Sequence, residues 1–522
     1  MPGSGYVRTR PYAGRVRWPL RLLLAALGGG ALYLAFPSHD IWPLAVVGCA
    51  VLALATAGAG IRVGLVAGLL LGLAWYTPMF VWASTYAGAA PWLAMSVASA
   101  LYPAALGGLL ALLQRGGRVR PVVGAAAWVL MEYARSVTPF GGFPWARLGF
   151  SQADSPMLGV AALLSVAGLG FVVALVGGLL ALALQHLAHR PQPRRARALG
   201  LALLATGLVL APAALPRPTG GEPVQVAAVQ GDLPPDFTRT LSAERGTMLQ
   251  RYTSMTEGLA TDVADGAAPA PDLVLWPEGA SDLDPFAPDG GAEAVARMMP
   301  GVEALDAPVV LGATSYGTGD APRNMVLELQ PGQGVDDTYQ KIYLAPFGER
   351  MPLRPVMRHL SEWVDRIPDW EPGTEPGVMD VALPDGRQVR LGLGICFEVV
   401  VDAAVRDAVA GGAELLVVPT SNAWFGEGDE AAQHIATSRV RAVEYGRSVV
   451  HISNVGISGL IHPDGRVEEE TTLFSQALLE GELPLRSTPT SALTTGPWVV
   501  PAAALVVVAA LLGLVVRRRS AD

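Results

Sequence analysis

Gln388-Val389-Arg390-Leu391-Gly392-Leu393-Gly394-Ile395-Cys396-Phe397-Glu398 reads as a short apolar strand that ends on a thiol. Val378–Leu383 just upstream is a second such stretch, and Pro384-Asp385-Gly386 between them is a strong turn signal. The pair predicts a hairpin whose second strand delivers Cys396. Outward from it, further β-rich stretches bounded by Gly, Pro or Asp fall at Val224–Gln230, Asp272–Trp276, Pro308–Thr314, Met325–Gln330, Leu415–Pro419, Val449–Ser453 and Ser458–Ile461. Pro463-Asp464-Gly465 marks another hairpin. Helical patterns lie near 242–264, 291–304, 399–411 and 431–446. Strands alternating with helices predict an α/β sandwich with buried sheets over residues 217–493.

The rest of the chain is of another kind. Hydrophobic residues make up 51% of 522 and the mean hydropathy is +0.38, too apolar for an ordinary soluble enzyme. Residues 217–493 hold 41 Asp and Glu against 19 Lys and Arg, whereas the remainder holds 4 acidic and 18 basic residues. Such asymmetry predicts a membrane part joined to a solvated domain. The acidic domain would repel phosphates, which excludes nucleic acid as a partner. Runs of about 17–25 apolar residues can cross a hydrocarbon core about 30 Å thick. They fall near 19–36, 41–58, 62–83, 91–113, 121–137, 157–187, 198–215 and 496–516, predicting about eight spans in a helical bundle.

Arginine sets the expected orientation. Arg8, Arg10, Arg15, Arg17, Arg21, Arg62, Arg115, Arg118, Arg120, Arg190, Arg194, Arg195, Arg197, Arg517, Arg518 and Arg519 all fall in alternate connections, and the opposite ones carry only Arg135 and Arg147. Basic loops stay cytoplasmic. The reading is therefore a transmembrane region over 1–216 with about seven helices, an extracytoplasmic domain over 217–493, and a last helix with a cytoplasmic tail over 494–522. Glu132 and Arg135, one turn apart in the fifth run, are expected to pair.

Lysine occurs once, at Lys341, against 36 arginines, and cysteine only at Cys49 and Cys396. Cys49 lies in an apolar run, so the polar domain has one amine and one thiol and can form no internal disulfide. A compact ammonium suits electrostatic work at a reacting centre. A thiol whose ordinary pKa is about 8.5 needs a base or a nearby cation to become a nucleophile. Trp276-Pro277-Glu278 closes another predicted strand and supplies a carboxylate. Glu278 as base, Lys341 as oxyanion partner and Cys396 as nucleophile make a complete acyl-transfer set.

These motifs resemble the nitrilase (carbon–nitrogen hydrolase) superfamily, which uses a Glu-Lys-Cys triad on a four-layer αββα sandwich. The resemblance rests on Trp276–Glu278, on Tyr339–Glu349 and on Gly394–Glu398. Val229–Asp232, Asn422–Gly426, Arg441–Arg447, Gly142–Trp145 and Gly149–Gln152 extend it. With the membrane topology, the likeness is to the apolipoprotein N-acyltransferase branch. It implies an acyl chain taken from a phospholipid, usually phosphatidylethanolamine, held as a thioester on Cys396 and passed to the amine of a diacylglyceryl-cysteine on an apolipoprotein. It implies a multi-pass protein of the cytoplasmic membrane, with the bilayer as a partner and neither cofactor nor metal. Glu349 and Glu398 match supporting glutamates. Phe397 replaces a frequent Tyr, Asn422 stands where many members have Asp, and Thr238-Arg239 takes roughly the place of a Lys-Trp pair. Trp145, Trp424 and Phe425 are candidate substrate contacts, and with Phe143 and Phe150 candidate lipid-facing aromatics. A membrane-anchored amidase acting on a small amide, and a transporter or receptor that only binds, are the competing readings. The first needs no eight spans, and the second predicts polar or broken helices at the midplane, whereas these runs are nearly free of charge.

Overall fold

The computed structural model describes residues 18–189, 192–233, 245–316, 321–359 and 362–519. Thr238-Arg239 lies outside them. Helices of nine residues or longer are numbered in chain order. The apolar runs form α1 Trp18–Leu34, α2 Pro43–Thr56, α3 Ile61–Met79, α4 Ala89–Leu113, α5 Pro121–Val137, α6 Val160–Leu187, α7 Arg195–Leu210 and, at the far end of the chain, α12 Ala492–Arg519. Among the described residues, five stretches are long and apolar enough to cross a membrane: Ile61–Met79, Ala89–Leu113, Pro156–Leu187, Arg195–Ala214 and Ala492–Arg517; α1 and α2 are shorter apolar helices. Small residues let the helices approach. A Cβ on Gly68 of α3 would sit 2.0 Å from the Pro103 carbonyl oxygen of α4, and on the same face one on Gly64 would sit 2.4 Å from the Gly107 carbonyl oxygen and one on Gly72 2.8 Å from the Ala100 Cα. This is the small-residue spacing that brings helix backbones together where water drives nothing.

The sandwich has two six-stranded sheets. One runs β12-β1-β2-β3-β4-β5 and the other β11-β10-β9-β8-β7-β6. The strands are β1 Glu222–Gln230, β2 Leu273–Leu275, β3 Val309–Ser315, β4 Arg323–Gln330, β5 Gly334–Gln340, β6 Val378–Ala382, β7 Gln388–Leu393, β8 Leu415–Thr420, β9 Ser448–Ser453, β10 Gly459–Ile461, β11 Val467–Glu470 and β12 Ala477–Leu485. Val224, Val226, Leu273 and Val310 of the first sheet meet Val381, Leu391, Val417 and Ile452 of the second in one buried layer. Helices α8 Thr247–Ala264 and α9 Gly291–Leu305 cover the first sheet's outer face. Helices α10 Asp402–Ala410 and α11 Glu430–Tyr445 cover the second and share their core with the apolar helices. The expected αββα layering is present. The strands absent from the sequence reading, β5 and β12, lie at sheet edges, while β11 is the second arm of the hairpin marked by Pro463-Asp464-Gly465. Of β5 only Tyr339 is buried, so its polar sequence hid it.

The sandwich sits on one end of the helical bundle, where bonds reach it from Arg-poor connections and the helix ends beside them. Arg147 donates to both carboxylate oxygens of Asp402 at 2.7 Å. Tyr33 and Ser38 bond Asp429, and Arg439 bonds Asp154. Aromatic pairs continue the seam: Trp82 with Phe425 at 4.8 Å, Trp82 with Trp145 at 5.8 Å and Phe143 with Phe397 at 5.9 Å. Each such pair adds about 0.5–1.5 kcal/mol beyond the area it buries.

Two expectations are corrected here. Glu132 and Arg135 do not pair. Glu132 accepts the Leu148 amide at 2.6 Å, while Arg135 donates to the Phe143 and Trp145 carbonyls, both at 2.6 Å. Both charges are used to fold the connection after α5 onto the bundle, where its backbone groups would otherwise be buried without partners. Nor are Trp145 and Phe150 lipid-facing. Both are interior, with Trp145 donating its indole N–H to Gln433 at 2.7 Å and Phe150 flanked by the Arg147 and Arg441 guanidiniums. Trp424 is exposed, and Phe143 and Phe425 are half-buried.

Candidate active site

Three chain turns converge at strand ends. Glu278 follows β2, Lys341 follows β5 in the same sheet, and Cys396 follows β7 in the facing sheet. The site therefore straddles the two sheets. Cys396 has φ +52°, a left-handed backbone that a side chain with a Cβ seldom adopts. Such strain is retained where surrounding bonds over-determine it. Here Glu398 supplies them. Its buried carboxylate accepts the Ile395, Ile342 and Tyr343 amides at 2.9, 2.9 and 3.0 Å and the Tyr339 hydroxyl at 2.9 Å. One carboxylate thus ties the cysteine turn to the lysine turn and fixes the distance between their side chains.

Lys341 is buried and donates to Glu349 Oε1 at 2.8 Å, with Glu278 Oε1 at 3.8 Å. Burial would lower its pKa, but the charges of Glu349 and Glu278 reverse this and hold it above the ordinary lysine value. The amine stays an ammonium. Glu349 also accepts the Ala345 amide at 2.8 Å, which sets the loop after Lys341. Asn324, at the start of β4, donates to Glu278 Oε1 at 2.6 Å and Glu349 Oε1 at 2.9 Å. It bridges the two carboxylates and escaped the sequence reading, because a single amide opening an apolar strand carries no motif. Glu278 is raised by burial first, against the pull of Lys341, with Glu349 adding to the rise and the Asn324 bond and the Cys396 thiol opposing it. The Cys396 thiol is itself driven well up, by burial and then by Glu278, with Lys341 opposing. Thiol and carboxylate thus act on each other with both pKa values lifted, an arrangement for passing a proton between them as charge develops on sulfur.

The structure brings together Glu278, Lys341, Cys396, Glu349 and Glu398. Phe425 and Trp145 reach the same region through the aromatic seam, and Trp145 lies 5.2 Å from the His434 ring. His434, Glu430 and Gln433 on α11 also stand near the site. Sequence reasoning passed over them because they occupy ordinary positions on a helix.

The two-sheet fold is that of a carbon–nitrogen hydrolase, and the Carbon-nitrogen hydrolase family model matches residues 225–490. The model for the Apolipoprotein N-acyltransferase N-terminal domain matches residues 28–179. A protein of Mycolicibacterium smegmatis named apolipoprotein N-acyltransferase is 36% identical over 516 residues, covering 94% of this chain and 84% of that one. Proteins of the same name from Geobacter metallireducens and Azotobacter vinelandii are each 32% identical, covering 89% and 97% of this chain. The chain belongs to the apolipoprotein N-acyltransferase family.

Proposed function

We propose that this chain moves an acyl group from a phospholipid to the α-amine of a diacylglyceryl-cysteine at the start of an apolipoprotein, through a thioester on Cys396. The observation that carries the mechanism is Glu278 acting on the Cys396 thiol beside a buried, charged Lys341. As Cys396 Sγ attacks the ester carbonyl, Glu278 takes the thiol proton. The carbonyl oxygen gains charge beside the Lys341 ammonium. The intermediate collapses, the carbon–oxygen ester bond breaks, and the lysophospholipid alkoxide leaves with the proton held by Glu278. In the second half the neutral α-amine attacks the thioester. Glu278 takes a proton from the nitrogen and returns it to the departing Cys396 sulfur, leaving an amide and a free thiol. One carboxylate serves both halves because its raised pKa lets it both accept and release a proton. Asn324 and Glu349 keep Glu278 and Lys341 from collapsing onto each other. Lysine is the right cation here, since a point charge can stand at bonding distance from an oxyanion where a planar guanidinium would be displaced.

The bilayer supplies both substrates. All eight apolar helices cross it in this reading, with residues 217–493 on the extracytoplasmic face of the cytoplasmic membrane. Support comes from the placement of the sandwich at the Arg-poor helix ends. Residues 1–216 form the first seven spans and 494–522 the last span with a cytoplasmic tail. Phosphatidylethanolamine is the assigned donor. Exposed Trp424 and half-buried Phe425, beside Thr85 and Trp82 of the bundle, are assigned to acyl-chain contact. Purified chain in bilayer discs containing phosphatidylethanolamine, given a synthetic diacylglyceryl-cysteine peptide, should yield N-acylated peptide and lysophospholipid in equal amounts. Lysophospholipid and free fatty acid with unmodified peptide would show a hydrolase instead.

A further inference from the structure

Another buried carboxyl stands beside the site and takes no part in the proton transfers above. Glu430, on the first turn of α11, is 2% exposed. Its Oε2 accepts one N–H of the Asn422 amide at 2.7 Å. The Asn422 carbonyl accepts the Ser453 hydroxyl at 2.6 Å, so the amide has a single orientation. Its other N–H points at His434 Nδ1, 3.3 Å away, and His434 Nε2 lies 3.1 Å from the Cys396 carbonyl oxygen. The donor directions agree along the chain. A His434 whose Nδ1 accepts from Asn422 must carry its proton on Nε2 and donate to the nucleophile's own carbonyl.

We propose that Glu430, Asn422 and His434 form a positioning relay for Cys396, in which Glu430 fixes the amide, the amide fixes the imidazole tautomer, and the imidazole pins the left-handed backbone that aims the thiol. The inference rests on Cys396 being the nucleophile. It also gives the amide at 422 a purpose: a carboxylate there would face Glu430, whereas an amide donates to it.

The relay is also a charge near the thiol. Burial pushes Glu430 up to about 8, with the Asn422 bond opposing and Glu278 adding to the rise. Burial lowers His434 to about 4, so the ring stays neutral as the relay requires. The groups facing Glu430 are His434 on its own helix, with Nδ1 3.6 Å from Oε1, Asn422 after β8, Cys396 after β7 and Glu278 after β2. Neighbouring Asp429 is engaged by Tyr33 and Ser38. An ionised Glu430 disfavours the Cys396 thiolate. Above the Glu430 pKa the thiol therefore becomes harder to ionise.

The test is the rate of iodoacetamide alkylation at Cys396, read on the Cys396 peptide by mass from about pH 6 to 10, in the full-length chain and in Glu430→Gln and Glu430→Ala. Thioester formation from phosphatidylethanolamine is followed in parallel. Glu430→Gln keeps the acceptor for Asn422 and removes the charge. Alkylation at about pH 8.5 should then be about threefold faster, a thiol shift of about half a pH unit, and the inflection near 8 should vanish. Glu430→Ala releases the amide, so thioester formation should fall about tenfold, with Gln recovering most of it. Equal losses in Gln and Ala with the parent's alkylation profile, or parent behaviour in both, would overturn the relay. If Glu430→Ala does not fold, the Gln profile decides alone. If the unaltered chain takes no acyl group while the Gln profile still shifts, the acyl-transfer reading fails and the relay stands.

Discussion

The cluster around Asp402 and the cluster around Cys396 both gather acidic and basic side chains, the first where α10 and α11 meet the bundle and the second between the two sheets, and they are finished differently. At Asp402 two guanidiniums converge on one carboxylate. Arg441 bonds Asp402 at 2.7 Å, Glu444 at 2.5 Å and the Val399 carbonyl at 2.8 Å, while Arg147 reaches Asp402 from the bundle. Glu444 then accepts the Val166 amide at 3.0 Å, just beyond the break in α6 at Ser165. Although burial would raise Asp402, the two guanidiniums hold it well below the carboxylate range. Its charge does not move near neutral pH. At Cys396 one ammonium faces two carboxylates and a thiol, and both Glu278 and the thiol are lifted toward their neutral forms. Arginine forks lock the sandwich to the bundle, and a single lysine leaves a proton free to travel.

That contrast predicts that the two clusters fail in different currencies. The largest effect belongs to the lysine. Lys341→Arg should slow thioester formation about 10²–10³-fold, nearly as much as Lys341→Ala, because losing or displacing one oxyanion donor costs that much. The unfolding midpoint of Lys341→Arg should stay near the parent's. A Lys341→Arg rate within about tenfold of the parent, with Lys341→Ala inactive, would show that any positive charge suffices. The smaller effect on rate, and the larger on stability, belongs to Arg441→Ala. It leaves Glu444 buried without its cation, which costs about 3–5 kcal/mol. Thermal unfolding in detergent should register the loss, while the fraction that remains folded forms thioester within about tenfold of the parent. An Arg441→Ala chain of parental stability would remove the distinction between a locked cluster and a working one.

Much of this was legible in the sequence, and the omissions share a cause. The apolar strands β1, β3, β8 and β9 announce themselves because both of their faces are buried over most of their length, β7 because it alternates and then runs apolar toward Cys396, and the apolar helices by length and composition. Strands β5 and β12 pair on one side only and keep polar residues, so period and composition say nothing of them. Glu278, Lys341 and Cys396 could be picked out because each is rare or punctuated: a carboxylate after Trp-Pro, the sole lysine, the sole thiol of the polar region. Asn324, Glu430 and His434 are common residues in common elements, and only the folded chain brings them to the site. Glu132 and Arg135 show the limit in the other direction. One helical turn invites an ion pair, but the connection from 143 to 148 offered both side chains backbone groups that needed partners more.

The central claim is that Cys396 carries the acyl group, and intact mass tests it most directly. The purified chain is incubated with phosphatidylethanolamine of a single acyl composition, without acceptor, and its mass is recorded before and after neutral hydroxylamine. The account predicts one added acyl group, located on the Cys396 peptide, removed by hydroxylamine and absent from Cys396→Ala, which should still insert in membranes and unfold at the parent's midpoint. An acyl adduct that persists in Cys396→Ala, or N-acylated peptide made by that variant at the parent's rate, would contradict it.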